Sequence, residues 1–373
     1  MLILSILASC SQEPCSTPLS NDATLIDYFI RLEKNRCVHE QDIESIDTLM
    51  KQYHTQTTLH CDQVHRRSSM DGLKFDGPEE LVLQSASVAD VVIDTIGRHI
   101  IVYNDTSPNR LVETLQQDPD ILWQRGLIGF GGLGLAVDTM SDAGLQTLSP
   151  NLHLDSPLEL VDPDIGITAD GQFRINFFAV EPNSMNRTQH GPMASKKPHH
   201  FYRTVSSSLL DFPTPDIIVS SSEGSNGGAD PAILTRKDGS EILFVGPLDH
   251  TTMAWVSADG KTWPRFEPPT FNTRQRFATP DALADPEGGY RLYGMTNGRP
   301  GEFQVSLSKD GENFQQSTVV LRQNGAFNIS VGVDPVGVWW VYYNKTDLKC
   351  VQEWGATKIT PPSVQDHTKP FNR

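Results

Sequence analysis

The feature that most constrains the fold is a compact succession of short strands and tight turns in residues 229–266. Asp230-Pro231 opens the segment, and Asp238-Gly239 and Asp259-Gly260 each favour a tight turn, because Asp-Gly readily takes positive φ. Four strands in one such segment are typical of a single propeller blade. They are expected over Ala232–Thr235, Ile242–Val245 and Met253–Ser257, and from Trp263 onward.

Both halves of this pattern recur along the chain. Five apolar strands share the same kind of opening, and five turns related to Ser-x-Asp-Gly alternate with them. Regular recurrence of a supersecondary unit indicates a repeat architecture. The opening strands are expected at Ala89–Ile93, Asp162–Ile165, Asp230–Thr235, Thr279–Leu283 and Ser330–Val333, and the turns at Ser69–Phe75, Ser141–Leu145, Ser208–Phe212, Ser257–Trp263 and Ser308–Phe314.

The order of the two signals predicts a closed ring. The first turn, at Ser69, precedes every opening strand, and the last opening strand, at Ser330, has no such turn after it. We therefore expect the strands of residues 64–75 to complete the blade begun by residues 330–343, which removes exposed sheet edges. The predicted fold is an all-β, five-bladed β-propeller over residues 55–350.

The N-terminal residues indicate export. Residues 1–10 are apolar and end in Leu7-Ala8-Ser9-Cys10, which resembles a bacterial lipoprotein signal with Cys10 as the acylated residue. This predicts an exported lipoprotein of the periplasm or cell surface that touches the membrane only through its lipid; a frayed apolar terminus is the alternative. Residues 11–54 are expected to form a tether and two short helices, at 22–34 and 40–53, and residues 351–373 a C-terminal tail.

Four cysteines remain if Cys10 is lipidated, and their spacing alone allows three pairings. Closing the ring as described brings Cys61 and Cys350 into one blade, so we predict that they form a disulfide and that Cys15 pairs with Cys37. An exported compartment would permit both bonds. Four free thiols in a cytosolic protein are the alternative.

The net charge limits the kinds of partner that are expected, and the long loops indicate where function could be carried. The formal net charge of -16 argues against nucleic acid, whose phosphates need a basic surface. The chain is expected to be a monomer. Two long insertions, at residues 106–126 and 181–199, fall in the first two blades, and loops of this kind often carry function on repeat folds.

The repeated motifs also carry a family resemblance. The Ser-x-Asp-Gly-x-x-Trp/Phe turns resemble the Asp-boxes of sialidases, and the Asp-Pro openings over five blades resemble glycoside hydrolase families 43 and 32 and bacterial sialidase-like proteins. The resemblance spans Cys61 to Cys350. It implies that the turns are structural and that the active site lies at the hub, where carboxylates from successive blades act as base or nucleophile, modulator and acid.

Four of the five opening strands supply hub carboxylates, whereas the fifth supplies Ser330. The family-43 acid is a glutamate, but here Asp230 opens the third blade and Glu223 precedes it. Like charges in a shared funnel raise at least one pKa, so one carboxyl could protonate a leaving oxygen. The resemblance implies Asp90, Asp164, Glu223 and Asp230 as catalytic residues, with Asp162 as the alternative to Asp164 on the second blade, and Asp281, Arg274, Arg276, Arg299 and His250 as substrate-binding residues.

Alternatives stay open both for the role of the aspartates and for the function of the protein. Each aspartate could simply cap its strand by accepting backbone N–H bonds, or the hub could hold a structural Ca²⁺; no other cofactor is expected. As an enzyme, the protein would be an exported glycosidase that cleaves polysaccharide fragments. As a non-catalytic surface propeller, it would bind a glycan or a protein through the same funnel, and an inert scaffold between partners is a third reading.

Overall fold

The computed structural model describes residues 61–107, 132–140, 144–154, 159–180, 200–220, 228–246, 251–264, 268–296 and 299–350. Within them the chain is almost entirely β, with one short helical turn at 348–350. The predicted signal, tether, N-terminal helices and C-terminal tail lie outside the described residues, as do Cys10, Cys15 and Cys37.

Twenty of the 22 described strands form five four-stranded antiparallel sheets, which are the predicted blades, and the other two form a short parallel pair. Blade I contains β3–β6, blade II β8, β9, β10 and β12, blade III β13–β16, blade IV β17–β20, and blade V β21, β22, β1 and β2. The strands are β1 Asp62–Ser69, β2 Glu80–Gln84, β3 Ala86–Ile93, β4 His99–Asp105, β5 Leu133–Asp138, β6 Leu145–Leu148, β7 Asn151–Leu152, β8 Glu159–Ile167, β9 Phe173–Val180, β10 His200–Ser206, β11 Asp211–Phe212, β12 Asp216–Ser220, β13 Ala229–Thr235, β14 Glu241–Gly246, β15 Met253–Ser257, β16 Phe271–Asn272, β17 Phe277–Ala284, β18 Tyr290–Thr296, β19 Glu302–Ser308, β20 Thr318–Arg322, β21 Ala326–Val333 and β22 Trp339–Thr346.

The five innermost strands, β3, β8, β13, β17 and β21, each contact the innermost strand of both neighbouring blades, which closes the ring. Blade V joins the two ends of the propeller, because β1 lies between β22 and β2 in one sheet. Its register pairs Asp62 with Thr346 and Ser69 with Trp339. The predicted five-bladed fold and its closure by N-terminal strands are confirmed.

Packing between blades explains why second strands such as β4 and β14 are buried along their whole length, although each contains polar residues. All residues of β4 and β14 are buried, because these strands are covered on both faces by adjacent blades. One hydrophobic cluster joins blades I and II through Ile100 and Phe177. Another joins blades III and IV through Phe244 and Leu292. These layers hold the innermost strands around the hub.

The innermost strands begin at one end of the ring, which we call the entry end. The Ser-x-Asp-Gly turns lie at the opposite end. In the turn at Ser308, the Asp310 Oδ1 accepts hydrogen bonds from the Ser308 hydroxyl (2.9 Å) and from the backbone N–H groups of Glu312 (2.9 Å) and Asn313 (2.8 Å). The turns at Ser69 and Ser257 have the same pattern.

One strand prediction within blade III is wrong. Trp263 does not begin the fourth strand, which is formed by Phe271 and Asn272. The Trp263 ring instead packs under the Arg203 guanidinium of blade II, 5.0 Å from the ring centroid. This contact between a cation and an aromatic face explains why an apolar residue follows the turn without entering the sheet.

The predicted bond between Cys61 and Cys350 is present and ties the first strand of the described chain to the residues just after β22. The sequence separation is 289 residues. A cross-link over so long a loop restricts the unfolded chain strongly.

Removing this bond is expected to lower the free energy of unfolding by about 5 kcal/mol, on the loop-entropy relation. The measurement is urea denaturation of Cys61→Ser/Cys350→Ser beside the unreduced wild type. Reducing agent should lower the wild-type midpoint by more than that of the double variant, which retains only the predicted Cys15–Cys37 bond. A wild-type midpoint that is insensitive to full reduction would contradict the expectation.

Candidate active site

The hub is built from two levels of side chains on the five innermost strands. The inner level is defined by hydrogen bonds between adjacent blades, and the outer level lies two residues earlier on each strand. The inner residues are Asp90, Asp164, Ala232, Asp281 and Ser330, and the outer residues are Val88, Asp162, Asp230, Thr279 and Asn328.

Each polar side chain of the inner level accepts a backbone N–H of the next blade. Asp90 Oδ2 accepts from Ile165 (2.6 Å), and Asp164 Oδ1 accepts from Ile233 (3.1 Å). Asp281 Oδ2 and Ser330 Oγ complete the series with Val331 and Val91. These side chains therefore link neighbouring blades, since the N–H groups that they accept belong to the next blade and not to the turn of their own strand.

Burial raises the pKa values of the inner carboxyls. The pKa of Asp90 is well above its usual range, through burial and through the negative charges of Asp281 and Asp164. Burial raises the pKa of Asp281 to about 8, despite the hydrogen bond from Val331. Burial also raises the pKa of Asp164, with the Arg174 charge opposing it. Three buried carboxyls around one axis cannot all ionise cheaply.

Asp281→Asn is expected to stabilise the fold at pH 8 by about 2 kcal/mol or more. The pKa of Asp281 is higher in the folded protein than in the unfolded chain. Burying this carboxyl therefore costs no stability through ionisation below about pH 4, and the cost grows as the pH rises toward 8. An asparagine stays neutral and keeps an acceptor for Val331. Urea midpoints at pH 5 and pH 8 test this, with the exposed Asp76→Asn as control; an unchanged gap between wild type and variant across that range would contradict it.

The outer level is shaped by strained backbone. Val88, Asp162, Asp230 and Asn328 have φ of 47°, 51°, 53° and 53°. Positive φ is uncommon outside glycine, and it coincides here with β-bulges in the innermost strands. The bulges turn these residues out of the regular alternation and into the hub opening at the entry end.

Asp162 and Asp230 face each other across blades II and III in this opening. The Asp230 N–H donates to Asp162 Oδ2 at 3.4 Å. Burial raises the pKa of Asp162 to about 6. Burial and the neighbouring Asp162 charge raise the pKa of Asp230 well above its usual range. Both side chains keep part of their surface in contact with solvent.

The opening itself is narrow. Asp90, Asp162 and Asp230 line it together with Val88 and Asn328, and it encloses about 10 Å³. That is room for one water molecule. A larger ligand would therefore lie across the opening and meet the two outer carboxyls first.

A buried ionic network supports the hub from behind. Glu241 accepts from Arg174 Nη1 and Arg203 Nη2, both at 2.6 Å, and all three side chains are almost fully buried. Arg203 Nε donates to Asn176 (3.0 Å), whose Nδ2 donates to Asp164 (2.6 Å). The network therefore connects the interface of blades II and III to the inner level.

The structure places the candidate residues in several different parts of the molecule. Asp90, Asp164 and Asp281 occupy the inner level, with Asp90 also reaching the opening, whereas Asp230 lies at the outer level. Arg274 and Arg276 line a different cleft, described below. Arg299 is exposed and pairs with Glu302 (3.2 Å). Glu223 and His250 lie outside the described residues.

Asp162 is the hub residue that the sequence prediction passed over, because it assigned the catalytic carboxylate of the second blade to Asp164. The signal that could have singled it out is the Asp-Pro dipeptide, which it shares with Asp230. Aligning Asp162-Pro163 with Asp230-Pro231 places both aspartates at one level and leaves Asp164 opposite Ala232.

Two further observations concern metal and membrane. In the described part of the chain, no group of three or more histidine, cysteine, aspartate or glutamate residues is arranged to hold a metal ion. The Ca²⁺ alternative stays a prediction. Among the same residues, no helix has the length and apolar character needed to cross a membrane.

No family model matches this chain, and no curated protein matches it. Solved structures are similar to it at low identity. A GH43_1 enzyme from Xanthomonas citri is 11% identical, with a TM-score of 0.47 over 72% of this chain and 83% of that one. The native arabinanase of Bacillus subtilis is 10% identical, with a TM-score of 0.45 over 70% and 94%. A mutant Trypanosoma rangeli sialidase is 12% identical, with a TM-score of 0.39 over 75% and 57%.

These neighbours belong to the kinds of protein that the sequence motifs resemble. Each of these three TM-scores is below 0.5.

Proposed function

We propose that this protein hydrolyses glycosidic bonds with Asp162 and Asp230 at the propeller hub. The observation that carries the proposal is the pair itself. Two carboxyl groups on adjacent blades share one opening, and their surroundings raise both pKa values, that of Asp162 to about 6. Paired carboxyls with pKa values pushed apart are suited to divide the roles of acid and base.

In the proposed reaction Asp230 is the acid and Asp162 the base. Protonated Asp230 donates its proton to the leaving glycosidic oxygen as the bond from that oxygen to the anomeric carbon breaks. Ionised Asp162 accepts a proton from a water molecule, whose oxygen forms the new bond to the same carbon. Room for one water beside both carboxyls supports direct attack by water.

The inner aspartates have a positioning role in this proposal. Asp90 and Asp164 hold the backbone of blades II and III by accepting the N–H groups of Ile165 and Ile233. Those N–H groups lie three residues after the two outer aspartates, so the bonds fix the direction of each bulge. Asp281 does the same for blade V.

A non-catalytic propeller that binds a glycan or a protein is the second candidate. The observation that favours it is Val88, which holds the blade I position equivalent to the two outer aspartates and brings no carboxyl to the opening. With two outer carboxyls in place of three, the opening could bind a polar ligand without cleaving it.

The proposed location is outside the cytoplasm, with Cys10 as the lipid anchor. The bond between Cys61 and Cys350 supports this, because disulfides form and persist in oxidising compartments. Loss of lipid labelling in Cys10→Ser, with labelled wild type, is the expected result. Labelling that survives the substitution would refute the anchor.

The function is tested by incubating the purified chain with a panel of neutral and acidic oligosaccharides and aryl glycosides, and by following reducing ends and mass. The proposal expects turnover on at least one substrate, and loss of that turnover in Asp162→Asn and in Asp230→Asn. Binding to a glycan array without any turnover would favour the second candidate. Turnover that survives both substitutions would refute the assigned pair.

A further inference from the structure

A second concavity lies on blade IV and on the segment that leads into it from blade III, apart from the hub opening. It encloses about 370 Å³, a volume typical of small-molecule sites, and shares no lining residue with the hub. Phe277 and Thr296, paired at the entry end of β17 and β18, line one end of it. Phe277 lies three residues before Pro280 of the hub opening, so the two openings are about 10 Å apart along the strand.

Two arginines give this cleft a positive wall. Arg274 and Arg276 are exposed, and neither has an ion-pair partner among the described residues. Glu302 approaches the cleft by accepting a hydrogen bond from Gln304 (3.0 Å), but it is already paired with Arg299 (3.2 Å) and Arg322 (3.1 Å). The cleft is therefore locally cationic in a chain whose formal net charge is -16.

The floor of the cleft contains polar atoms that have lost water without gaining a partner. Gln275 is 6% exposed, and its Oε1 has no hydrogen-bond partner in the described structure. Its Nε2 donates to the Gln315 carbonyl (2.7 Å), which fixes the orientation of the amide. Thr296 Oγ1 is also buried and unpaired. An unsatisfied buried acceptor costs about 1–3 kcal/mol, which a ligand hydroxyl would recover.

We infer that this cleft binds a saccharide that carries an oxyanion, either a carboxylate or a sulfate. The anion would lie between the Arg274 and Arg276 guanidinium groups, whose planar donors match such oxygens. Sugar hydroxyls would donate to Gln275 Oε1 and bond to Thr296 Oγ1, with Gln316 at the rim. The saccharide part of the assignment rests on the proposed function, whereas the anion part rests on the cleft alone.

The position of the cleft gives it a role in specificity. A sugar unit bound in the cleft would lie about 10 Å along the strand from the hub opening that contains Asp162 and Asp230. The next units of the same oligosaccharide would reach that opening. The cleft would thus select acidic chains for the hub.

The test is calorimetric titration of the Asp230→Asn chain, in which hydrolysis during the measurement is removed. The probes are tetragalacturonate, a sulfated galactotetraose and neutral galactotetraose, each at low and high salt. At low salt at least one charged probe should bind about tenfold or more tightly than the neutral one, which corresponds to about 1.4 kcal/mol. The charged probe that binds more tightly identifies the oxyanion.

Arg274→Gln/Arg276→Gln should remove this preference, and Lys261→Gln/Lys309→Gln should keep it. The control removes two exposed positive charges from turns at the opposite end of the ring. Equal binding of charged and neutral probes, or a preference that survives the arginine substitutions, would overturn the inference. If charged probes bind selectively but wild type cleaves nothing, the cleft stands and the hydrolase proposal fails.

Discussion

Asp230→Asn is expected to lower kcat/KM for hydrolysis of an aryl glycoside with a poor leaving group by about 10²–10⁴-fold, the usual contribution of a general acid or base. The amide matches the carboxyl in size but cannot donate the acid proton. A glycoside with a very good leaving group needs little protonation, so its rate should fall much less. Initial rates on the two kinds of substrate are the measurement, with the exposed Asp76→Asn as the matched control.

The pH profile of kcat/KM gives the same assignment a second readout. Asp162 must be ionised to act as base, so the rate should rise with pH through about 6. Asp230 must be protonated to act as acid, so the rate should fall at higher pH, above its raised pKa. Asp230→Asn should lose only the alkaline fall. Equal rate losses on both substrates, with an unchanged bell shape, would contradict the role of Asp230.

Glu241→Gln is expected to lower the free energy of unfolding by about 3–5 kcal/mol, the usual cost of breaking a buried ion pair. Glu241 bridges Arg174 and Arg203, with each contact at 2.6 Å. The substitution leaves both guanidinium groups buried with their charges less well balanced. Urea denaturation at pH 7 measures the effect.

The matched control is Glu312→Gln, which breaks the more exposed pair between Glu312 and Arg236 at 2.9 Å. That loss should stay below about 1 kcal/mol, because solvent screens the charges. Similar small losses in both variants would show that water or rearrangement compensates the arginines and that the network does not hold blades II and III together.

The propeller could be predicted from the sequence because its signals are local. Asp-Gly turns and short apolar strands specify each hairpin, and their alternation specifies the ring, including the pairing of Cys61 with Cys350. Trp263 was misplaced because its partner, Arg203, lies on a different blade. A contact between residues so far apart in sequence leaves no mark in the local pattern.

The division of the hub into two levels could not be predicted for a related reason. Regular strand alternation puts residues such as Asp162 and Asp164 on one face, and only the bulges assign them different roles. Val88, at φ 47°, shows how little the residue type reveals, since a β-branched side chain is a poor candidate for that conformation. The cleft at Gln275 likewise depends on residues far apart in sequence, since the segment before β17 meets Gln315 after β19.

The most direct test of the account compares hub aspartates one level apart. For Asp162→Asn, Asp230→Asn, Asp90→Asn and Asp281→Asn, both the rate on the best substrate and the urea midpoint are measured at pH 6 and pH 8. We expect the two outer variants to lose turnover by about 10²-fold or more and the two inner variants to keep turnover within about tenfold. Because burial raises the pKa values of all four carboxyls, each variant should unfold at a higher midpoint relative to wild type at pH 8 than at pH 6. Inner variants that lose turnover as completely as the outer ones, or outer variants that keep it, would contradict the division of the hub into a reactive level and a structural one.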